Sequence, residues 1–321
     1  MKNIHHIADF SSLGGVQTYL YGLKKCNFDR YQLLNISNKV LDIFCGTSFI
    51  YFFNLRFILR NHKDQIFIVH NLILSKKWII IFIILRLKRA KIIYHEHGTC
   101  WANPIKNQKI YNRRINKVDK IIVNSLATKK LLEKFYVLRK KVKVLHSPIF
   151  LYEIPENNIQ KIKKIDKKDF ITLGFIGRLE IHKNPEFLIE LAIKLKEKYK
   201  IRTKIEYIGS GLNRDNLEEK CLKTDVNTTF HGRVDSRNEI IEKWDFCLVP
   251  SLREPMGLVP GEMALMNTVV LSSKIDGLQE MYPKACSKLL IKMVKKDKYD
   301  FENIQYIPDL DMFSKGLFPS V

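Results

Sequence analysis

Two glutamates, Glu254 and Glu262, stand eight residues apart in the stretch SLREPMGLVPGEMAL, with Gly257 and Pro260 between them. The run FCLVPS before it reads as a buried strand, so the acids flank a strand-to-helix turn. Pro260 suits the first turn of a helix, where its missing N–H costs nothing. The amides near Gly257, Leu258 and Val259 then point outward at a helix start, which favours an anion. Glu262 in that turn is favoured by the helix dipole and can accept hydrogen bonds from ribose hydroxyls. Glu254, in the loop before it, can bind sugar hydroxyls. On this reading the acids hold two sugars on either side of a phosphate cradle. The plain alternative is a glutamate at a helix start and an exposed glutamate in a loop.

Other strand ends carry weaker signals. GFIGRLEIHKN places Arg178 just past a strand and Lys183 five residues later. A guanidinium fork and an ammonium point charge suit a diphosphate, though surface cations are the common fate of such residues. EYIGSGLN sets Gly209 and Gly211 where backbone can approach a phosphate or base. GRVDS places Val234 and Asp235 after a strand; the loop either reads a nucleobase edge or caps a helix through Asp235 or Ser236. Gly14 and Gly15 separate the first strand from the first helix in DFSSLGGVQTYL. YHEHGT puts His95 and His97 at another strand end. That spacing is not H-E-x-x-H on a helix and lacks obvious partner ligands, so no metal site is expected there. DLDMF (Asp309–Phe313) looks like a cation-binding D-x-D, but it lies close to the last residue and is set aside.

These residues need elements to hold them. Short apolar runs alternate with amphipathic stretches along the chain, the signature of parallel α/β units. NIHHIADF, QIFIVHN, AKIIYHEHG, KIIVNS and KVKVLHS read as strands in a first domain, residues 1–150. A lysine-rich stretch without periodicity reads as a linker, 151–169. A second series beginning at ITLGFIGR gives a domain over 170–290, and 291–321 reads as a tail or partial crossover. Two successive Rossmann-like domains with a cleft between them are expected, with ligands outside the carboxyl ends of the strands.

Composition narrows the class. Among 321 residues, 46% are apolar, too many for a disordered chain. The six cysteines include no C-x-x-C pair, which argues against a zinc site or a disulfide framework and for reduced thiols in the cytoplasm. MKNIHHIADF has no signal-peptide apolar core. Net charge is +22, and residues 1–150 hold 27 Lys+Arg against 7 Asp+Glu. The first half therefore faces an anionic surface, either nucleic acid or membrane. WIIIFIILRL (Trp78–Leu87) is far shorter than the roughly 20 residues of a membrane span. It reads as a core helix, or as a helix lying in the membrane interface with basic flanks.

In order, LGGVQTYL, YHEHG, KIIVNS, FIGRLEIHKN, IGSG, HGRVD and VPSLREPMGLVPGEMAL resemble the family 4 glycosyltransferases of the GT-B fold, over residues 4–282. The resemblance implies two Rossmann-like parallel-sheet domains facing across a cleft, a nucleotide-sugar donor, and retention of configuration without a metal or other cofactor. It implies that Arg178 and Lys183 neutralise the leaving diphosphate, that Glu254 contacts the donor sugar and Glu262 the ribose. The amides after Gly257 would hold sugar hydroxyls or phosphate. Gly15 would sit near the diphosphate, His97 near the donor sugar, with His95 as a weaker counterpart, and Val234 at the base.

The expected reaction moves a hexosyl unit, from a UDP-sugar, to a saccharide or polyprenyl-diphosphate-linked acceptor in lipopolysaccharide, O-antigen or capsule assembly. The enzyme would sit in the cytoplasm, peripheral at the inner membrane face. Lys88, Arg89, Arg113, Arg114, Arg139, Lys140 and Lys141 form the candidate acceptor or membrane patch. Two competing classes remain: a basic nucleic-acid binder without catalysis, and a GT-B epimerase or phosphorylase. The first leaves the Glu254/Glu262 turn unexplained and lacks the aromatic-basic interleaving of RNA modules, so no nucleic-acid partner is expected.

Overall fold

A computed structural model describes residues 4–8, 15–25, 65–71, 73–74, 77–101, 104–147, 170–234, 237–266 and 268–281. Gly14, Asp235, Ser236, the linker 151–169, the tail 291–321 with its D-x-D, and Cys26, Cys45 and Cys286 lie outside the described residues. The chain divides into two compact units, Met1–Phe150 and Leu151–Val321, each with its own parallel sheet.

In the first unit the described strands are β1 (Ile4–Ile7), β2 (Ile66–His70), β3 (Lys91–Glu96), β4 (Lys120–Val123) and β5 (Val142–Val144), ordered β1-β2-β3-β4-β5. Near-continuous apolar runs such as IFIVH and KIIV suit a sheet covered on both faces. Phe67, Val69, Ile92, Tyr94, Ile121 and Val123 are fully buried on it. The helices are α1 (Gly15–Lys25), α2 (Lys77–Leu87), α3 (Pro104–Ile115) and α4 (Leu126–Phe135). Ser125 starts α4 by accepting a hydrogen bond from the Thr128 amide.

The core-helix reading of WIIIFIILRL holds for one face only. Trp78, Ile81 and Leu85 recur at helical spacing and are buried. On the same helix Ile79, Ile80, Ile83 and Leu87 are 49%, 43%, 50% and 76% exposed. No helix among the described residues is long and apolar enough to cross a membrane.

The second unit runs β6 (Ile171–Ile176), α5 (Phe187–Tyr199), β7 (Thr203–Ile208), α6 (Arg214–Thr224), β8 (Asn227–Gly232), α7 (Asn238–Ile241), β9 (Phe246–Val249), α8 (Val259–Leu265), β10 (Val269–Ser272) and α9 (Leu278–Met281). Its strand order is β10-β9-β6-β7-β8. The chain steps outward from β6 to β8, then crosses back to lay β9 beside β6. Winding direction reverses between those two strands, and their carboxyl ends are where such sheets take ligands.

Candidate functional site

Two loops of the second unit meet at that reversal. After β6, Gly177 and Arg178 lead into a short 3-10 turn, Ile181–Lys183, which Asn184 ends in left-handed conformation (φ 52°). The Leu252 amide, in the loop after β9, donates to the His182 carbonyl at 2.8 Å and stitches the loops together. Across this seam the Lys183 ammonium pairs with Glu254 Oε2. Ser251 Oγ donates to the same oxygen at 3.3 Å. The Glu254 backbone is fixed from behind: its amide donates to Asp276 Oδ2 at 3.2 Å, and its carbonyl accepts from the Gly277 amide at 3.0 Å. Burial, and then the neighbouring Glu254, push the Asp276 carboxyl up, against the pull of the amide it accepts from and of Arg253.

Gly257 follows with φ +83°. A Cβ there would lie 2.3 Å from Leu278 Cδ2 and 3.2 Å from Glu254 Cγ, so both backbone and space require glycine. Glu262 lies in the first turn of α8 and accepts from Arg237 Nη2 at 2.9 Å. Both glutamates are thus buried and each is paired with a cation, which overturns the alternative of an exposed loop acid at Glu254. Arg237 gave no signal in the sequence, because it reads as an ordinary charge ahead of a short helix.

The remaining second-unit candidates divide. Arg178 opens the same loop as Lys183, more than half exposed, with its guanidinium 2.7 Å from Glu180 Oε1. His182 contacts the other Glu180 oxygen at 3.2 Å. Burial lowers the His182 pKa, and the Lys183 charge adds to this. Gly209 has φ +136°, and a Cβ there would be 1.9 Å from the Gly177 carbonyl oxygen. Close packing of two loops therefore accounts for Gly209. Val234 and Val259 are half-buried against the apolar cluster of Ile208, Trp244 and Met263. Leu258 is the residue before the seven-residue α8, and no side chain caps that helix.

In the first unit, Gly15 opens α1 and is exposed. His95 and His97 project from one side of the end of β3, and Glu96 from the other, as strand alternation dictates. The Glu96 carboxylate is fully buried and accepts from Tyr94 Oη at 2.9 Å, from Tyr111 Oη, and from the Gly98 amide at 2.6 Å. It builds the loop that carries His97. The His97 amide donates to Asn71 Oδ1 at 2.8 Å, and its carbonyl accepts from Asn124 Nδ2 at 3.2 Å.

The His97 side chain has partners that the H-E-H spacing did not disclose. Its Nε2 lies 2.9 Å from His70 Nδ1, and His70 Nε2 lies 2.9 Å from His6 Nδ1. The His95 and His97 rings are 3.9 Å apart between centroids, and Tyr19 of α1 packs on both. Burial holds the His6 pKa down to about 4 and that of His97 to about 3. His70 and His95 are also held well below the usual imidazole range, by burial first and by their histidine neighbours second.

The basic patch is smaller than expected. Arg89, Arg113, Arg139 and Lys141 are exposed and Lys88 is half-buried. Arg114 instead donates to the Ile73 carbonyl at 2.7 Å, and the Lys140 ammonium to the Val118 carbonyl. Those two cations bond to backbone oxygens of other segments and tie the fold.

Family comparisons match each half. Residues 156–300 match the model for glycosyl transferases group 1, and residues 30–151 the model for Glycosyltransferase Family 4. The chain belongs to glycosyltransferase family 4. An uncharacterised glycosyltransferase of Methanocaldococcus jannaschii is 32% identical over 152 residues, 44% of this family 4 chain and 38% of the relative. A Campylobacter jejuni relative is 26% identical over 200 residues, 62% of this chain and 52% of its own length. Its name is GalNAc-alpha-(1->4)-GalNAc-alpha-(1->3)-diNAcBac-PP-undecaprenol alpha-1,4-N-acetyl-D-galactosaminyltransferase. The family 4 chain spans about half the length of the curated relatives it matches. Among solved structures, S. aureus TarM in complex with UDP aligns with TM-score 0.54 and 18% identity, over 70% of this chain and 44% of that one. Its parallel-sheet units are those of the GT-B fold.

Proposed function

We propose that this protein is a retaining hexosyltransferase that uses a nucleotide sugar, a UDP-sugar, and a saccharide or polyprenyl-diphosphate-linked acceptor in surface-polysaccharide assembly. The observation that carries this reading is the Lys183–Glu254 pair at the β6/β9 reversal, with Gly257 against it and the Glu262–Arg237 pair at the following helix start. The barrier to displacing a nucleoside diphosphate is negative charge growing on the leaving phosphate. Fixed cations aimed at that charge lower it. In this mechanism Arg178 and Lys183 receive the diphosphate, while Glu254 turns to sugar hydroxyls and Glu262 to the ribose. The acceptor oxygen bonds to the anomeric carbon as the carbon–phosphate oxygen bond breaks, on the same face. The acceptor proton passes to the departing phosphate. None of these steps calls for a metal.

The acceptor class is supported by the printed name of the Campylobacter relative, which ends in a diphosphate-linked undecaprenol, and the base by the UDP bound to TarM. The first unit adds exposed isoleucines on α2 followed by Lys88 and Arg89, which suits an anionic membrane surface on the cytoplasmic side.

A thermal-shift screen of nucleotide sugars identifies the donor, because a ligand at 100 times its Kd adds about 2.7 kcal/mol of stability. With that donor, Lys183→Ala and Arg178→Ala are expected to lose about 10²-fold or more in kcat. Near wild-type turnover in both variants overturns the proposal.

A further inference from the structure

We propose that His70, His95 and His97 form a binding site for one divalent transition-metal ion in the first unit. The three rings come from two neighbouring strands and the loop that follows, and one ligand nitrogen from each lies within 4.8 Å of the others. His70 Nδ1 and His97 Nε2 are already 2.9 Å apart. A tetrahedral ion with imidazole bonds of 2.0–2.1 Å needs nitrogens roughly 3.3 Å from one another. The required movement is therefore a small opening of one pair and a modest closing of His95 onto it.

A second observation also points to a ligand. His95 is 2% exposed, and its Nε2 is buried with no hydrogen-bond partner among the described residues. A buried polar atom left unpaired is costly, and its ring packs 3.9 Å from that of His97 and 5.2 Å from that of His70. An ion bound between the three rings would satisfy this nitrogen.

The donor set chooses the ion. All three ligands are imidazoles, and Glu96, which lies between two of them in sequence, spends its oxygens on Tyr94, Tyr111 and the Gly98 and Cys100 amides. Imidazole suits Zn²⁺, Ni²⁺ and Cu²⁺, whereas Mg²⁺ and Ca²⁺ require oxygen ligands. His6 Nδ1, 2.9 Å from His70 Nε2, occupies the outer nitrogen of one ligand and sets its orientation. His97 is only half-buried, which gives the ion a way in. Three protein ligands and one open position result.

The test is calorimetric titration of the full chain with Zn²⁺. One ion per chain is expected with micromolar affinity or better, unaffected by excess Mg²⁺. His70→Ala and His95→Ala are each expected to weaken binding by about tenfold or more, in line with losses seen when metal-ligand support is removed. The exposed His146→Ala is expected to leave it unchanged. Should the variants fail to fold, Cu²⁺ bound to the wild-type protein gives the same answer by electron paramagnetic resonance. Hyperfine structure from several nitrogens is expected. Absence of saturable Zn²⁺ binding, binding undiminished in both variants, or an all-oxygen Cu²⁺ signal overturns the site. Because no nucleotide sugar enters the measurement, these outcomes are independent of the proposed transferase.

Discussion

Lys183 and Glu254 neutralise each other across two loops, and Arg237 does the same for Glu262. A carboxylate this buried is costly once its cation is removed. Arg237→Ala is therefore expected to lower unfolding stability by about 1–3 kcal/mol, read from urea denaturation. An unchanged midpoint would mean that water replaces the guanidinium at no cost. Gly257 is a second position where the residue type is dictated. At φ +83° an alanine pays left-handed strain and also pushes on Leu278. Gly257→Ala is expected to lose about 1–2 kcal/mol and to weaken nucleotide-sugar binding. Wild-type stability and affinity in that variant would show that the turn relaxes freely.

At the scale of elements, the strand ends of the first unit carry the consequence. β1, β2 and β3 deliver His6, His70 and His95, with His97 just beyond, to one buried cluster. Their pKa values lie below the ordinary 6.5, at about 4 for His6 and about 3 for His97. Below 6.5 the unfolded chain binds protons that the folded one does not. Stability is thus complete above 6.5 and is lost as pH falls through the window toward about 4. Urea midpoints of the metal-free protein should drop between about pH 6.5 and pH 4, and less so in a His6→Gln variant. Helix α2 makes a separate prediction. Ile80 and Ile83 lie on its exposed face, so Ile80→Ser/Ile83→Ser should leave the urea midpoint within about 0.5 kcal/mol. The same variant should bind anionic vesicles several-fold more weakly if this face meets lipid.

At the scale of the molecule, charge is the distinguishing property. Residues 1–150 carry the excess of 27 cations over 7 acids, while 151–321 are nearly balanced with 28 against 26. Such a field attracts anionic surfaces and is screened by salt, with a Debye length of about 3 Å at 1 M. Sedimentation with vesicles should show preference for anionic over neutral lipid at low salt, and the preference should collapse at high salt. Equal binding to both lipids would remove the membrane from the proposed acceptor reading.

Much of this was legible in the residues. The alternation of apolar runs and amphipathic stretches, and the E-x7-E turn with its upstream Gly-Arg and Lys, announced parallel α/β units and the family, because periodicity and turn chemistry are local properties of a chain. The partnerships came from the folded chain alone: Glu254 with Lys183, Glu262 with Arg237, Arg114 and Lys140 with backbone carbonyls, and His97 with His70, which in turn meets His6. Each joins residues from separate stretches of the chain. Strand order and burial set those distances, and neither is written in the spacing of residues along the chain.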